Sequence, residues 1–348
     1  MAHIPKCLQE DSLNDYLIKY GFNPINQGKV RNTYRLDDER LLVVATDRLS
    51  TYDFVLPVLV PKKGEVLTAM THFWLTKVLK DFPNHLMLSS HVGYNEAYDL
   101  REDFLHDLPI ERCLVVKDLR GQLFPFEMIY RHHIGGSVFK NYQKTGIAGG
   151  HKLPPNLPKW SKLETPIFTP STKEDVGHDI NVDAAFFFKE MTDRGLGEEA
   201  RNTEAMLVLA YFTTYAYAEE RGILILDTKY EVAPNMIADE FNTPDSSRFA
   251  LKTDWEQAMA EGRDPYFHDK QPVRDVVSKI VTPFKDPAGD YIVGINNLNP
   301  QNLDHLAFVD SLEISTDVIS GTTERYLSIF KMLTGQSLED YQKKEMGV

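Results

Sequence analysis

Cysteine is scarce in this chain: two in 348 residues, Cys7 and Cys113, with no spacing that suggests a zinc site or a disulfide framework. That excludes a disulfide-stapled scaffold, and two reduced thiols fit a cytoplasmic protein. Long apolar runs are missing too. The longest, at 223–226 and 41–45, have the length of buried strands, far short of the roughly 20 residues a membrane span requires. Basic excess is also absent. A net charge of −13 argues against non-specific binding to nucleic acid or anionic lipid, so any anionic ligand must be met by a local gathering of cations. No apolar segment of the secretory type follows Met1, and no export signal is expected.

What remains is the composition of a folded protein, 42% hydrophobic and 26% charged, long enough for two or three packed units. Apolar spacing predicts a helix at 8–20, short strands at 30–36, 41–46 and 54–60, and a helix at 66–80. Another strand is expected near 114–117 with 126–131 as its partner, then loop over 146–172. Helices follow near 183–194 and 199–221. The next segment reads as a hairpin: strand 223–232, turn 233–235 and return 236–241. A helical start at 273–281, an irregular stretch to about 303 and a helix near 322–334 complete the chain. Antiparallel hairpins with segregated helices indicate an α+β class. The expected division is a β-rich unit over 1–115, a central α+β unit over 116–272 and a mainly helical segment over 273–348.

The hairpin carries the strongest chemical signal. Strand residues alternate faces, so Asp227, Lys229 and Glu231 project together. A turn at 233–235 sets Lys229 opposite Asp239, with Glu231 diagonal to it. Close carboxylates repel unless a cation neutralises them, and Mg²⁺ favours a few hard oxygen ligands completed by water and phosphate. A solvated polar face on an edge hairpin is the other reading. Gly28-Lys29-Val30-Arg31 is a glycine turn followed by a strand with two cations on one face. It lacks the Walker spacing, and reads either as a strand-borne phosphate clamp or as an exposed basic strand. The turn at 242–248 ends in Arg248, which can bind a carboxylate or phosphate in bidentate fashion. The pair His132-His133 has no zinc-like spacing.

In order along the chain, GKVRNTY (28–34), LLVVATDRLSTYDFVL (41–56), PKKGEVLT (61–68), FPFEMIYRHHIGGSVFKNY (124–142), PIFTPSTK (166–173), GHD (177–179), GILILDTKYEV (222–232) and DEFNTPDSSRF (239–249) resemble the signature segments of the SAICAR synthetase family. The resemblance implies a small antiparallel β lobe and a larger α+β lobe with a cleft between them, followed by C-terminal helices. It also implies ATP-dependent ligation of L-aspartate to the carboxylate of a phosphoribosylated carboxyaminoimidazole (CAIR), with Mg²⁺, and no nucleic-acid or membrane partner. By the same resemblance Lys29 and Arg31 would hold ATP phosphates, Glu231 and Asp239 the Mg²⁺, and Lys117 and Glu127 would line the adenine pocket. Arg131, Ser137, Asp245, Ser247 and Arg248 would bind CAIR, and Asp53 would lie near its imidazole. Lys173, His178 and Asp179 would sit at the aspartate end, with Lys229 near the phosphoryl group and Asp227 supporting it.

Some positions depart from the family pattern: Asn32 stands where Asp is common, Ile180 where Glu is usual, and His132-His133 with Gly135 in place of an aromatic and Thr pattern. A small-molecule kinase with a similar cleft, or a nucleotide-sensing protein without turnover, would share the metal carboxylates and phosphate contacts. The sequence leaves open whether the chain is a monomer or a homodimer.

Overall fold

The computed structural model describes residues 2–8, 17–19, 22–87, 108–173 and 180–348. The expected helix at 8–20 therefore lies largely outside the described residues, as do His178 and Asp179. Two antiparallel sheets organise the rest. The first has four strands in the order Asn23–Gln27, Arg31–Arg35, Arg40–Ala45 and Cys113–Lys117. Period-two alternation buries Asn32 and Tyr34 in strand Arg31–Arg35 and leaves Arg31 and Thr33 on the opposite face.

The second sheet runs Lys162–Phe168, Phe126–His133, Ile223–Ala233, Met236–Ala238. Short strand Ser171–Thr172 adds beside Phe126–His133, and Ser247–Leu251 beside Ile223–Ala233. Its central strands are apolar and buried because helices cover the sheet. Helix Gly197–Glu219 packs there, and its Tyr211 stacks on Tyr130 with ring centroids 5.5 Å apart. Helix Ala184–Asp193, capped by Asp183 accepting from the Phe186 amide, adds Phe187 and Met191 to the same core. Helix Thr316–Thr334, capped by Ser315 and stopped by Gly335 at φ 74°, contributes Tyr326, Ile329, Phe330 and Leu333. Each such burial is worth about 1.5–3 kcal/mol.

A second core explains the C-terminal stretch. Leu49, Phe54, Leu56 and Val60 of the hairpin Arg48–Thr51/Phe54–Leu59 pack against Val273, Val277, Ile295, Leu298, Val309 and Ile314. Residues 273–314 thus back the hairpin whose turn holds Tyr52 and Asp53, both at positive φ (53° and 69°). Among the described residues no helix is long and apolar enough to cross a membrane.

Three sequence expectations are corrected. Strand Cys113–Lys117 pairs with Arg40–Ala45, not with 126–131; Phe126–His133 belongs to the other sheet, beside Ile223–Ala233. The expected loop 146–172 contains strand Lys162–Phe168, whose alternation Pro166 had obscured. The stretch 273–281 is helical only to Val277, after which Val281–Lys285 pairs with Tyr291–Val293.

His133 is fully buried, and both ring nitrogens are without a hydrogen-bond partner. Burial, aided by His132 and Lys162, lowers its pKa to about 3. The unfolded chain binds that proton near pH 6.5, so the stabilisation is complete above 6.5 and is lost progressively as pH falls toward 3. We expect stability to fall between pH 7 and pH 5, and His133→Phe to reduce that fall by about 1 kcal/mol per pH unit in urea melts at the two pH values.

Candidate active site

Two cavities meet at the strand Ile223–Ala233. The first, about 380 Å³, lies between the sheets, with Arg31, Thr33 and Val116 from one and Glu231, Ala238 and Asp239 from the other. Ile25, Leu41, Val43, Leu119 and Leu123 give it an apolar wall, and Lys117 and Lys173 reach its rim. The second, about 230 Å³, is lined by Arg131, Ser137, Asp227, Lys229, Asp245, Ser247, Arg248, Asp269 and Arg274. Lys229 and Glu231 are two apart on one strand face, about 7 Å, so the cavities adjoin there.

Opposite charges pair throughout. Arg31 Nη2 lies 2.5 Å from Asp239, Lys173 Nζ 2.6 Å from Glu231, Lys229 Nζ 2.5 Å from Glu127 and Lys29 Nζ 2.6 Å from Asp53. Asp227, almost wholly buried, accepts from Arg131 at 2.5 Å and from Arg248 at 2.6 Å. Burial pushes the Asp239 carboxyl up to about 6; Arg31 opposes this, while Glu231 and Glu240 push further upward. Burial alone would also raise Glu231, but Lys173, Arg31 and Lys229 together hold it below its ordinary value. For Lys229 burial works against the charge, and Glu127, Glu231 and Glu240 outweigh it and raise the pKa.

The local chain explains these positions. Pro234 and Asn235, the latter at φ 56°, make a two-residue turn, so Glu231 pairs with Ala238, and Asp239 lies past the strand end and not opposite Lys229 as expected. The three-residue turn read from the sequence is one residue out, a slip that inverts faces. Asp239 recovers the cavity side by leaving the strand with φ 57°. Asp227 faces Arg131 in register, because Phe126–His133 and Ile223–Ala233 are neighbours.

Two residues placed by the resemblance have the following partners. Glu127 does not line the first cavity; its strand lies in the second sheet, and its carboxylate accepts from Lys229. Support for Lys229 thus comes from Glu127, while Asp227 serves the two arginines. Lys173 lies in the first cavity against Glu231, because Ser171–Thr172 pairs with Phe126 and Glu127 and delivers residue 173 there. His178 and Asp179 lie outside the described residues.

Several participants were not singled out from sequence. Arg48 is buried and donates to the carbonyls of Gly28 and Lys29 and, at 2.6 Å, to Asn32, which ties down the turn before Arg31. Asn32 at a position where Asp is common thus acts as the acceptor of a buried guanidinium. Asp269 and Arg274 enter the second cavity from beside helix Gln271–Val277; the spacing of Lys270 and Arg274, four apart at a helix start, was the available signal. Gly135 also gains a reason. A β-carbon there would lie 2.1 Å from the Trp160 ring, and that ring lies under Arg248, 5.6 Å from centroid to guanidinium carbon.

The chain matches the family model described as SAICAR synthetase over residues 24–290. It is 37% identical over 319 residues to a phosphoribosylaminoimidazole-succinocarboxamide synthase of Thermodesulfovibrio yellowstonii, covering 90% of this chain and 96% of the relative. Its counterpart in Actinobacillus succinogenes is 40% identical over 259 residues, 72% of this chain and 84% of the relative. Among solved structures, the SAICAR synthase of Saccharomyces cerevisiae complexed with SAICAR superposes with a TM-score of 0.69 at 30% identity, covering 91% of this chain and 96% of that one.

Deleting the carboxylate that Arg131 and Arg248 share leaves buried positive charge uncompensated. Asp227→Ala should cost about 3 kcal/mol or more in urea denaturation, whereas Lys29→Ala, which breaks a half-exposed pair, should cost under about 1 kcal/mol.

Proposed function

Since this chain belongs to the SAICAR synthetase family and is an ATP-dependent ligase that joins L-aspartate to the carboxylate of CAIR, giving SAICAR, ADP and phosphate, we propose a division of labour between its two cavities. The observation that carries it is that a carboxylate-bearing cavity with an apolar wall and a cation-rich cavity are lined by residues two apart on one strand, Glu231 and Lys229.

In this reading the apolar wall of Ile25, Leu41, Val43, Val116 and Leu119 takes the adenine, Arg31 and Lys173 take the phosphates, and Lys29, next to Gly28 of the cavity lining and paired with Asp53, joins them on the resemblance. Glu231 and Asp239 fit Mg²⁺: both present hard oxygens to one cavity, and their mutual repulsion, part of what raises Asp239, is what a divalent cation relieves. Two carboxylates suit an ion that completes its shell with water and phosphate. Mg²⁺ held there supplies neutralisation of phosphate charge.

In the second cavity Arg131, Ser137, Ser247, Arg248 and Arg274 hold the phosphate and carboxylate of CAIR, and Asp245 its ribose. A carboxylate is a poor electrophile. Transfer of the terminal phosphoryl group to its oxygen creates a leaving group, the aspartate amine attacks the acyl carbon, phosphate departs with the bonding pair, and the nitrogen gives up a proton. Lys229, in the second cavity and two residues along the strand from Glu231 of the first, stabilises the charge in transit. Asp53, which pairs with Lys29 from its positive-φ turn, is assigned to the imidazole, and His178 and Asp179 to the aspartate end, on the resemblance. The protein's work is positioning and charge neutralisation. Two cysteines that form no disulfide, together with metabolite substrates, fit a cytoplasmic enzyme.

Incubation with CAIR, L-aspartate, ATP and Mg²⁺ should give a product with the mass of SAICAR, and ADP release should require aspartate; release that ignores aspartate would indicate a kinase. Glu231→Ala should lower kcat about 100-fold or more, and retained turnover at saturating Mg²⁺ would remove the metal assignment. Lys29→Ala should raise the KM for ATP about tenfold with the fold intact, checked by initial rates and thermal melting.

A further inference from the structure

Asp245 is a carboxylate aimed into the second cavity yet held from behind. Its side chain is 3% exposed. One oxygen accepts from the Tyr326 hydroxyl at 2.5 Å, and the other lies 2.7 Å from Nζ of Lys63. Lys270 stands 4.0 Å away. Burial alone would raise the Asp245 pKa, but Lys270, Lys63 and the hydrogen bonds of Lys63 and Tyr326 together hold it well below the ordinary value. The loop around it is fixed independently: the amides of Ser246 and Ser247 donate to the Thr243 carbonyl, and Asn242 accepts from Thr228 and Tyr230.

Both partners come from elements remote in sequence. Tyr326, 1% exposed, sits on helix Thr316–Thr334, beyond the family-matched residues 24–290. Lys63, fully buried, opens helix Lys63–Phe73, and the chain terminus grips that helix too. Gln342 donates to Glu65 at 3.0 Å, and the Tyr341 hydroxyl lies 2.9 Å from His72. Burying a lysine, a phenol and a carboxylate together is costly, and an apolar contact would join two helices at lower cost. The grouping is explained by what it does to Asp245.

We propose that the C-terminal helix is part of the ligase site, with Tyr326 and Lys63 acting as positioning residues that aim Asp245 at the ribosyl substrate, so that residues outside the family-matched segment set the affinity for CAIR. This rests on the assignment of the second cavity to CAIR. Tyr326 touches no substrate; it acts through Asp245. A hydrogen bond from Tyr326 to an ionised carboxylate is worth enough for its loss to be read in binding.

The test is Tyr326→Phe in the full-length protein, with initial rates at varied CAIR and varied ATP, and thermal melting alongside. The expected result is a KM for CAIR raised about tenfold, with kcat and the KM for ATP within about twofold of the parent. Lower melting with an unchanged KM for CAIR overturns the proposal, because a purely structural tie predicts that. Arg248→Lys separates the two levels of inference, since it alters the cavity without touching Asp245. If it leaves the KM for CAIR unchanged, the cavity assignment fails; if it raises that KM while Tyr326→Phe does not, only the role of the C-terminal helix fails.

Discussion

The pairing of Arg31 with Asp239 ties the two sheets together across the cleft, and the arrangement of the site depends on it. At this pair the first sheet supplies the cation and the segment leaving the second supplies the carboxylate, and each is partly removed from water. Neither set is affordable alone: isolated buried charges cost several kcal/mol each, and a cleft of one sign would repel itself. Matching them lets a chain of net charge −13 fold around a cationic cavity without leaving the cations bare. The same logic recurs at Lys173–Glu231, Lys229–Glu127 and the Arg131–Asp227–Arg248 cluster. A phosphate-bearing ligand therefore enters by exchanging partners with a prearranged set of charges.

Much of this was legible in the sequence, for identifiable reasons. Strands 41–46 and 223–232 open with continuous apolar runs at 41–45 and 223–226, and helices near 183–194 and 199–221 were expected where they are found, so local pattern and tertiary burial agree there. What period and propensity do not encode is which strand lies beside which. Cys113–Lys117 and Phe126–His133 are near neighbours in sequence, yet one completes the first sheet and the other becomes central in the second. Sheet membership also decides which side chains meet: Glu127 lies against Lys229, and Lys173 against Glu231. The turn at Pro234-Asn235 misled by one residue, and only a backbone departure at Asp239 restored the carboxylate to its cavity. Parity arguments hold along a strand but not past its last extended residue.

The C-terminal third was the least legible. Its helices are amphipathic and ordinary, and nothing local says what they cover. The structure gives them two faces of work. Residues 273–314 back the hairpin that carries Tyr52 and Asp53, and the helix from Thr316 brings a hydroxyl against Asp245. Both contacts join residues more than 80 apart or near that, beyond the reach of window-based reading. The site is thus assembled from the whole length of the chain, not from its motif-rich middle.

Trp160 and Gly135 illustrate how such a site can drift. The indole fills the space a side chain at 135 would need, and its face supports a guanidinium. Substituting either position alone creates a collision or a void, so the two are locked in mutual epistasis. A side chain at 135 requires the indole to move, so replacing Gly135 alone would also withdraw the ring from beneath Arg248.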